Sequence, residues 1–497
     1  MLKYIALAAN LHPTLVLYWL AATSCLAACA VGPDYRRPSV QVPETFKEGV
    51  DWRRAQANPQ GSISSAWWLE YHDDELTGLI NAALAANQSI AAAAANYRLA
   101  QATVAASVAT LYPTFTAGFS ATREKIAYGT STAGTVSGTQ NVVSTNVSAS
   151  WEPDLWGQIR RKIEANKASA QATDAELAGE RLSIAASVAT DYFQLRQADL
   201  DTDYLRQQQQ IDTRLLAMTE AGLRFGTSSN DDLLVAEDTL ELVVADLQTT
   251  QIDREQDEHA IAVLTGVPPG SFTIAPHLDY AFATLEVPLV LPSELLERRY
   301  DVVNAERTAA AANAKIGEEE AAFFPTLDLS AEVGFQHNAL ANLFALPNRF
   351  WSVGPSLAET LFDAGARSAA VAEARATYDA DVATYRGTVL SAFESVENAL
   401  SSCNHLKEQA QAYAGIFRRN QSLFASENAQ YTMGTASEQN LLTQRLTLLQ
   451  AEQNLKDTQA SLTTSTVTLI ENLGGGWQWD DSTGAAISNP IKPPVIR

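Results

Sequence analysis

The chain has 497 residues and a formal net charge of -23, an acidic balance that argues against nucleic acid as a partner. Mean hydropathy is -0.10, and beyond the N-terminus no continuous apolar run reaches the roughly 18 residues of a membrane-spanning helix. Three cysteines, one of them in the leader and one at its end, exclude an internal disulfide framework in the mature chain.

Residues 1–28 read as a secretory signal to be left out of the fold. Lys3 supplies a small positive region, and Leu15, Val16, Leu17, Trp19 and Leu20 form an apolar stretch made irregular by Pro13. The segment ends in Leu26-Ala27-Ala28-Cys29, which resembles a bacterial lipobox. In that motif the cysteine is acylated and becomes the mature N-terminus, so a covalent lipid on Cys29 is expected. Cys25 is the poorer candidate, because Ala22-Thr23-Ser24 lacks the leucine. Ala30 follows Cys29, where aspartate would signal inner-membrane retention. Cys403 is then the only free thiol. Residues 29–72 form a Pro-rich linker with Pro33, Pro38, Pro43 and Pro59.

A first repeat is expected over 73–266. Asp73 and Asp74 make a good helix start, Asn87 to Ser89 a break, and Pro113 a stop. A strand is predicted over 112–125, with Phe115, Ala117, Phe119 and Ala121 on one parity and Thr114, Thr116, Ser120 and Thr122 on the other. A Gly/Ser/Thr loop, 129–138, lacks the Gly-Lys-Ser/Thr ending of a phosphate loop. The second strand, 141–155, sets Val143, Val147, Ala149 and Trp151 against Ser144, Asn146, Ser148 and Ser150. From 158 to 264 no proline interrupts the chain. This predicts a helix of 65–70 residues, about 100 Å long, a break at Gly226 to Asn230, and a returning helix. Residues 267–291 are a linker or small equatorial layer.

The second half, 292–474, repeats this plan. "LYPTF" recurs as "FFPTL", "GTSSNDDLL" as "GTASEQNLL", and Gly266 as Gly474, each 208 to 212 residues later. Strands are expected over 324–337 and 349–362, and a helical hairpin over 364–472. In "FFPTLDLSAEVGFQHN", Leu327, Leu329, Ala331, Val333 and Phe335 alternate with Asp328, Ser330, Glu332 and Gln336, an apolar face and a polar face. "LGGGW" (473–477) ends the last helix, and 475–497 is a tail.

Four strands cannot close a membrane barrel, since the smallest need about eight. An open edge in lipid leaves backbone groups unsatisfied. The barrel must therefore be shared between copies: two give eight strands, three give twelve. Tyr112, Trp151, Trp156, Phe324, Phe350 and Trp351, at strand ends adjoining helices, suit an interfacial aromatic belt. The competing arrangement is a soluble sandwich with the apolar faces packed inward.

"LAACAVGPDYRRP" (26–38), "WWLEYHDDELTGLINAALAAN" (67–87), "WEPDLWGQIR" (151–160), "LPSELLERRYDV" (291–302) and "LFDAGARSAAVAEA" (361–374) resemble the NodT-type lipoprotein branch of the TolC-like outer-membrane efflux factors. The resemblance covers essentially the whole mature chain. It implies a homotrimer, mainly α with a shared twelve-stranded membrane β-barrel continued by a long periplasmic helical barrel. It implies a passive exit duct in the outer membrane of a Gram-negative bacterium, working with a periplasmic adaptor (membrane fusion) protein and an inner-membrane pump of the RND type. Tyr300 departs from the family, which has proline before the aspartate.

The resemblance also places a gate at the two Gly-Thr turns. Gly226, Thr227 and Ser229, and Gly434, Thr435 and Ser437, form the periplasmic tips that meet the adaptor. The family's latch tyrosine and aspartate fall at Tyr431 and Asp232. An arginine latch would fall at Ala436 and is missing. The family's acidic ring would fall at Asn440 and Thr443, neither acidic; Asp231 is a possible substitute. Ordinary helix-end chemistry explains Tyr431 and Asp232 equally simply.

The six histidines (12, 72, 259, 277, 337 and 405) are scattered and predict no metal site. No nucleophile–base constellation is visible, and no enzyme or cofactor is expected. "GEEEAAFF" (317–324) is an acidic run that reads as a solvated face. A periplasmic coiled-coil lipoprotein explains the helices but not the paired strands. An anchored hydrolase lacks a catalytic cluster. A duct for type I protein secretion is the alternative within the channel class. The sequence names neither the pump, the adaptor nor the exported compound.

Overall fold

The computed structural model describes residues 30–43, 45–48, 64–127, 137–285, 287, 298–477, 479–480 and 485–486. The expected signal segment, 1–28, Cys29 and most of the expected loop at 129–138 lie outside them. The long elements are α1 (Asp74–Ala86), α2 (Gln88–Ala109), β1 (Thr114–Ala127), β2 (Ser137–Trp151), α3 (Gln158–Phe225), α4 (Asn230–Leu264), α5 (Tyr300–Ala321), β3 (Thr326–His337), β4 (Arg349–Ala358), α6 (Ala366–Thr432) and α7 (Glu438–Asn472). Two-residue strands at Trp479–Asp480 and Ala485–Ala486 follow. The chain forms two compact units. One contains 98–172 and 305–384 with the residues up to 38; the other contains 39–97, 173–304 and 385–497.

The first unit holds a single antiparallel sheet in the order β1-β2-β3-β4. Its register puts one parity of every strand on one face. Ala117, Val147, Val333 and Trp351 make one apolar row across it, and Phe115, Ala149, Ala331 and Val353 the next. Phe115, Phe119, Trp351, Val353 and Leu357 are each 64 to 73% exposed. The other face is knitted by polar pairs. Thr116 Oγ1 meets Ser148 Oγ at 2.7 Å, Ser120 Oγ meets Ser144 Oγ at 2.8 Å, and Asn146 Nδ2 donates to Glu332 Oε1 at 2.6 Å.

Strand bounds shift from expectation where helix caps compete. β2 ends at Trp151 because Asp154 turns back to cap α3, accepting from the Ile159 and Arg160 amides and from Arg160 Nε. β4 ends at Ala358 because Asp363 does the same for α6, accepting from the Gly365 and Arg367 amides and Arg367 Nε. That guanidinium holds the Asp363 carboxyl below the usual range. Small residues let α3 and α5 approach: Ala168 packs on Ala310 and Ala311, with Tyr35 over them.

In the second unit, Asp73 caps α1 by accepting from the Glu75 and Leu76 amides, and its Oδ2 also accepts from the Tyr192 and Tyr280 hydroxyls at 2.8 and 2.9 Å. Asn87 breaks α1 from α2, its Oδ1 accepting from the Ser89 and Ile90 amides while Nδ2 donates to Leu264 O. Arg196, 1% exposed, donates from Nη1 to Asp199 and the Ala275 carbonyl and from Nη2 to Glu75, while its Nε has no partner. Asp199 also accepts from Arg254 and from the His277 amide. Residues 274–277, inside the expected linker, are therefore pinned to α3 and α4 by buried charge rather than left as loose surface. Tyr300 starts α5 where proline is common. Its ring covers Gly179, where an added carbon would sit 2.1 Å away.

Antiparallel contacts join α3 to α4 through Leu205, Val243 and Leu247, and α3 to α7 through Leu200, Tyr204 and Leu449. Polar pairs run down the α3–α7 seam at near-heptad spacing: Gln197 with Asp457, Asp201 with Gln453, Gln207 with Arg445, and Arg214 with Glu438. Asp201 and Asp457 also face each other across this seam, close enough for their carboxyls to interact. Burial and the Asp201 charge push the Asp457 carboxyl up to about 7 from its ordinary 3.8, and burial raises Asp201.

A carboxyl raised in the folded state binds more protons there than in the unfolded chain, so its stabilising effect is lost as pH rises. For Asp457 that window runs from 3.8 to about 7. Asp457→Asn keeps a hydrogen-bonding group and removes the charge. The variant should melt higher than the parent at pH 8 and gain little at pH 4, read by circular dichroism of the helices. Burial lifts Asp257 to about 7 and Asp191 to about 6, so the informative quantity is the parent–variant difference. A pH-independent difference would refute the raised Asp457 carboxyl.

Candidate pore face and gate turns

The polar sheet face is the first candidate surface. Its acids are Glu124 on β1 and Asp328 and Glu332 on β3, each hydrogen-bonded from β2, by Gln140, Ser150 and Asn146 respectively. Phe350 departs from the expected belt. Its register partner Gly334 lies on the polar parity, where Phe350 fills the space a side chain at 334 would need, its ring 2.8 Å from that missing carbon. Trp351 is on the apolar face, 70% exposed, but pairs with Val333 toward the loop end of the sheet. The helix-end group is Tyr112, Trp151, Trp156 and Phe324. Trp151 donates to Leu111 O at 2.9 Å, Trp156 to Pro325 O at 2.8 Å, and the Trp156 and Phe324 rings stack at 4.8 Å. A tryptophan that bonds backbone at one edge and offers its ring to an apolar phase suits an interface.

The first described residues lie beside this group. The Val31 amide donates to Trp156 O at 3.0 Å. Ala30 sits against Gly157, whose φ of +87° and lack of a side chain allow the approach; an added carbon would be 2.8 Å from the Ala30 Cα. Arg161 fixes the next residues through the Val31 and Gly32 carbonyls and Asp34. Cys29 itself lies outside the described residues.

The two Gly-Thr turns are built alike. Gly226 and Gly434 both have φ of 73°, the left-handed cap that ends a helix. The next amide, of Thr227 or Thr435, donates back to Gly222 O or Gln430 O at 2.8 and 2.9 Å, and each threonine hydroxyl donates to the same carbonyl. Ser229 and Ser437 then cap the returning helices, accepting from the Asp232 and Asn440 amides at 3.1 Å. Glycine supplies the backbone, threonine doubles the closing bond, and serine starts the next helix.

The gate residues divide. Asp232 completes a capping box, its Oδ2 accepting from the Ser229 amide and hydroxyl at 2.8 Å each. Those bonds hold its carboxyl below the usual range. Tyr431, 41% exposed, lies within electrostatic reach of the Arg214 guanidinium. Asp231 is exposed in the first turn of α4. The Thr443 hydroxyl donates to Gln439 O of its own helix, and the Asn440 amide to Ser437. Sequence reasoning missed Arg214 and Glu438, paired through two bonds of 2.8 Å. The arginine is three turns before its glycine, and only the seam register brings it to the second turn.

Among the described residues no group of three or more His, Cys, Asp or Glu is placed to hold a metal ion, and no helix is long and apolar enough to cross a membrane. Residues 79–267 and 291–475 match the sequence profile of the family described as outer membrane efflux protein. The toluene efflux pump outer membrane protein TtgC of Pseudomonas putida is 29% identical over 469 residues, 93% of this chain and 95% of that protein. The pyoverdine export outer membrane protein OpmQ of Pseudomonas putida is 30% identical over 444 residues, 86% of this chain and 91% of that protein. Among solved structures, the outer-membrane channel OprN matches with a TM-score of 0.79 at 28% identity, over 90% of this chain and 99% of that one. Two matched segments covering both repeats, and relatives aligned over nearly their whole length, leave one conclusion: the chain belongs to the outer membrane efflux protein family.

Proposed function

We propose that three copies of this chain form the outer-membrane exit duct of a tripartite efflux system, a passive path for small molecules driven by an inner-membrane RND-type pump and joined to it by a periplasmic adaptor. The observation that carries this reading is the sheet. It has four strands, two unpaired edges and opposite apolar and polar faces in one register. Pairing β4 of one copy with β1 of the next three times gives twelve strands and no edge. The apolar rows then meet lipid, and Thr116, Ser148, Asp328 and Glu332 line water. The cargo differs between relatives whose names speak of toluene and of pyoverdine, so the duct serves a cargo chosen elsewhere in the system, and none of its own residues needs to act chemically.

The lipid on Cys29 belongs to the same reading. Ala30 is held beside Trp156 and Phe324, so an acyl group on the preceding residue emerges at the proposed membrane interface. A polypeptide anchored anywhere else on this unit would need slack that residues 30–34, fixed by Trp156 and Arg161, do not have. The gate is placed at the turns, where the repeats end in matched exposed caps. Neutral Asn440 and Thr443 give it weak affinity for cations.

Two measurements test this. The mass of the detergent-extracted protein, corrected for bound detergent, should correspond to three chains; a monodisperse single chain would leave the sheet edges open and refute the duct. Cys29→Ala should abolish radiolabelled palmitate incorporation while trimers still form. Undiminished labelling would place the lipid elsewhere.

A further inference from the structure

We propose that Arg214 and Glu438 form the clamp that holds the second turn shut against the first helical hairpin, taking the place of an arginine latch at position 436. This rests on the gate placed at the turns above.

The geometry singles out this pair. Arg214 Nε and Nη2 donate to the two oxygens of Glu438 at 2.8 Å each, a fork-to-fork pairing that fixes orientation as well as distance. Glu438 is the first residue of α7, four residues beyond Gly434. Arg214 sits on α3 twelve residues before Gly226. The pair therefore ties the very end of the second hairpin to the flank of the first. It is the outermost rung of the seam. The inner rungs are backed by the Leu200–Tyr204–Leu449 cluster, whereas Arg214 and Glu438 have side chains 56% and 32% exposed. An outermost, solvent-reached rung can open while the apolar seam behind it stays closed. That is the property a gate needs: a bias toward the closed state, weak enough for a docking partner to overcome.

The other gate contact expected from the sequence is weakened in this chain. Asp232 is occupied by Ser229, and position 436 is alanine. The guanidinium near Tyr431 is instead Arg214, reaching from the other hairpin.

The test is single-channel recording of purified trimers in planar bilayers. Arg214→Glu and Glu438→Arg each replace attraction by repulsion and should raise the open fraction several-fold. The double reversal, R214E with E438R, restores the opposite charges and should return it to the parental value. In 1 M salt, where the screening length falls to about 3 Å, parent and single variants should converge. Trimer mass is checked first, and Arg214→Gln with Glu438→Gln, which remove the charge and keep a polar side chain, replace any reversal that fails to assemble; these should also raise the open fraction. Single variants identical to the parent, or a double reversal more open than either single, would overturn the clamp and leave the duct standing. Trimers in which neither the parent nor any single variant conducts would overturn the duct and the clamp with it.

Discussion

A strand that crosses a bilayer has only another strand to which it can give its edge N–H and C=O groups. Four strands per copy meet that constraint only in company. Every other property of the sheet follows from it. The alternation must hold across all four strands at once, because a one-residue slip in any pair would turn its apolar residues toward water. The register meets this requirement from Phe115 to Val353 through Ala149 and Ala331. Glycine at 334 leaves a gap on the polar face, and Phe350 closes it. An aromatic residue on the wet face is thus a packing solution within the sheet rather than part of a lipid belt.

The strands, the long helices and the breaks between them were legible because each rests on a local rule. Alternation marks β3, Pro113 stops α2, and the Gly-Thr-x-Ser spacing carries a whole turn in four residues. The repeat was legible for the same reason, since both turns solve one problem with the same chemistry. What local rules do not carry is the partner across a seam. Nothing around Arg214 in the chain distinguishes it from the other arginines of a polar helix. Its meaning lies in the antiparallel register that brings it to Glu438, fixed by apolar contacts at Leu200 and Leu449 far along both helices. The pinning of residues 274–277 is hidden in the same way, because Asp199 and Arg196 look like ordinary helix-surface charges until α1, α4 and the linker bury them. The ends of β2 and β4 differ from expectation by a few residues because Asp154 and Asp363, which look like strand flanks, each cap the helix that follows.

The chain separates anchoring from movement by chemical type. Contacts that must not yield are buried or multiply bonded. Arg196 has three partners, Asp73 holds two tyrosines and two amides, and Arg161 fixes the segment from Val31 to Asp34. Contacts at the turns are single rungs open to water, where ion pairs contribute modestly and respond to salt. Between the two lies the Asp201–Asp457 pair, whose carboxyls burial raises above their ordinary range.

Asp232 shows why a residue type at a family position does not by itself reproduce the family's contact. A carboxylate at the third position of a helix is drawn to its own cap, because the bonds are local and cost little ordering. A latch to Tyr431 must compete with those bonds for the same oxygen, or take the geometry they leave over. Glu438 has no such local claim on it. Ser437 caps α7 through the Asn440 amide, so the adjacent glutamate is free to reach outward, and a fixed guanidinium meets it. The second turn, with asparagine where the first has aspartate, therefore leaves its acid available for the neighbouring hairpin. The two turns share one backbone solution but differ in the residues after the capping serine, Asn230 to Asp232 against Glu438 to Asn440, and that difference decides which of them can be held from outside.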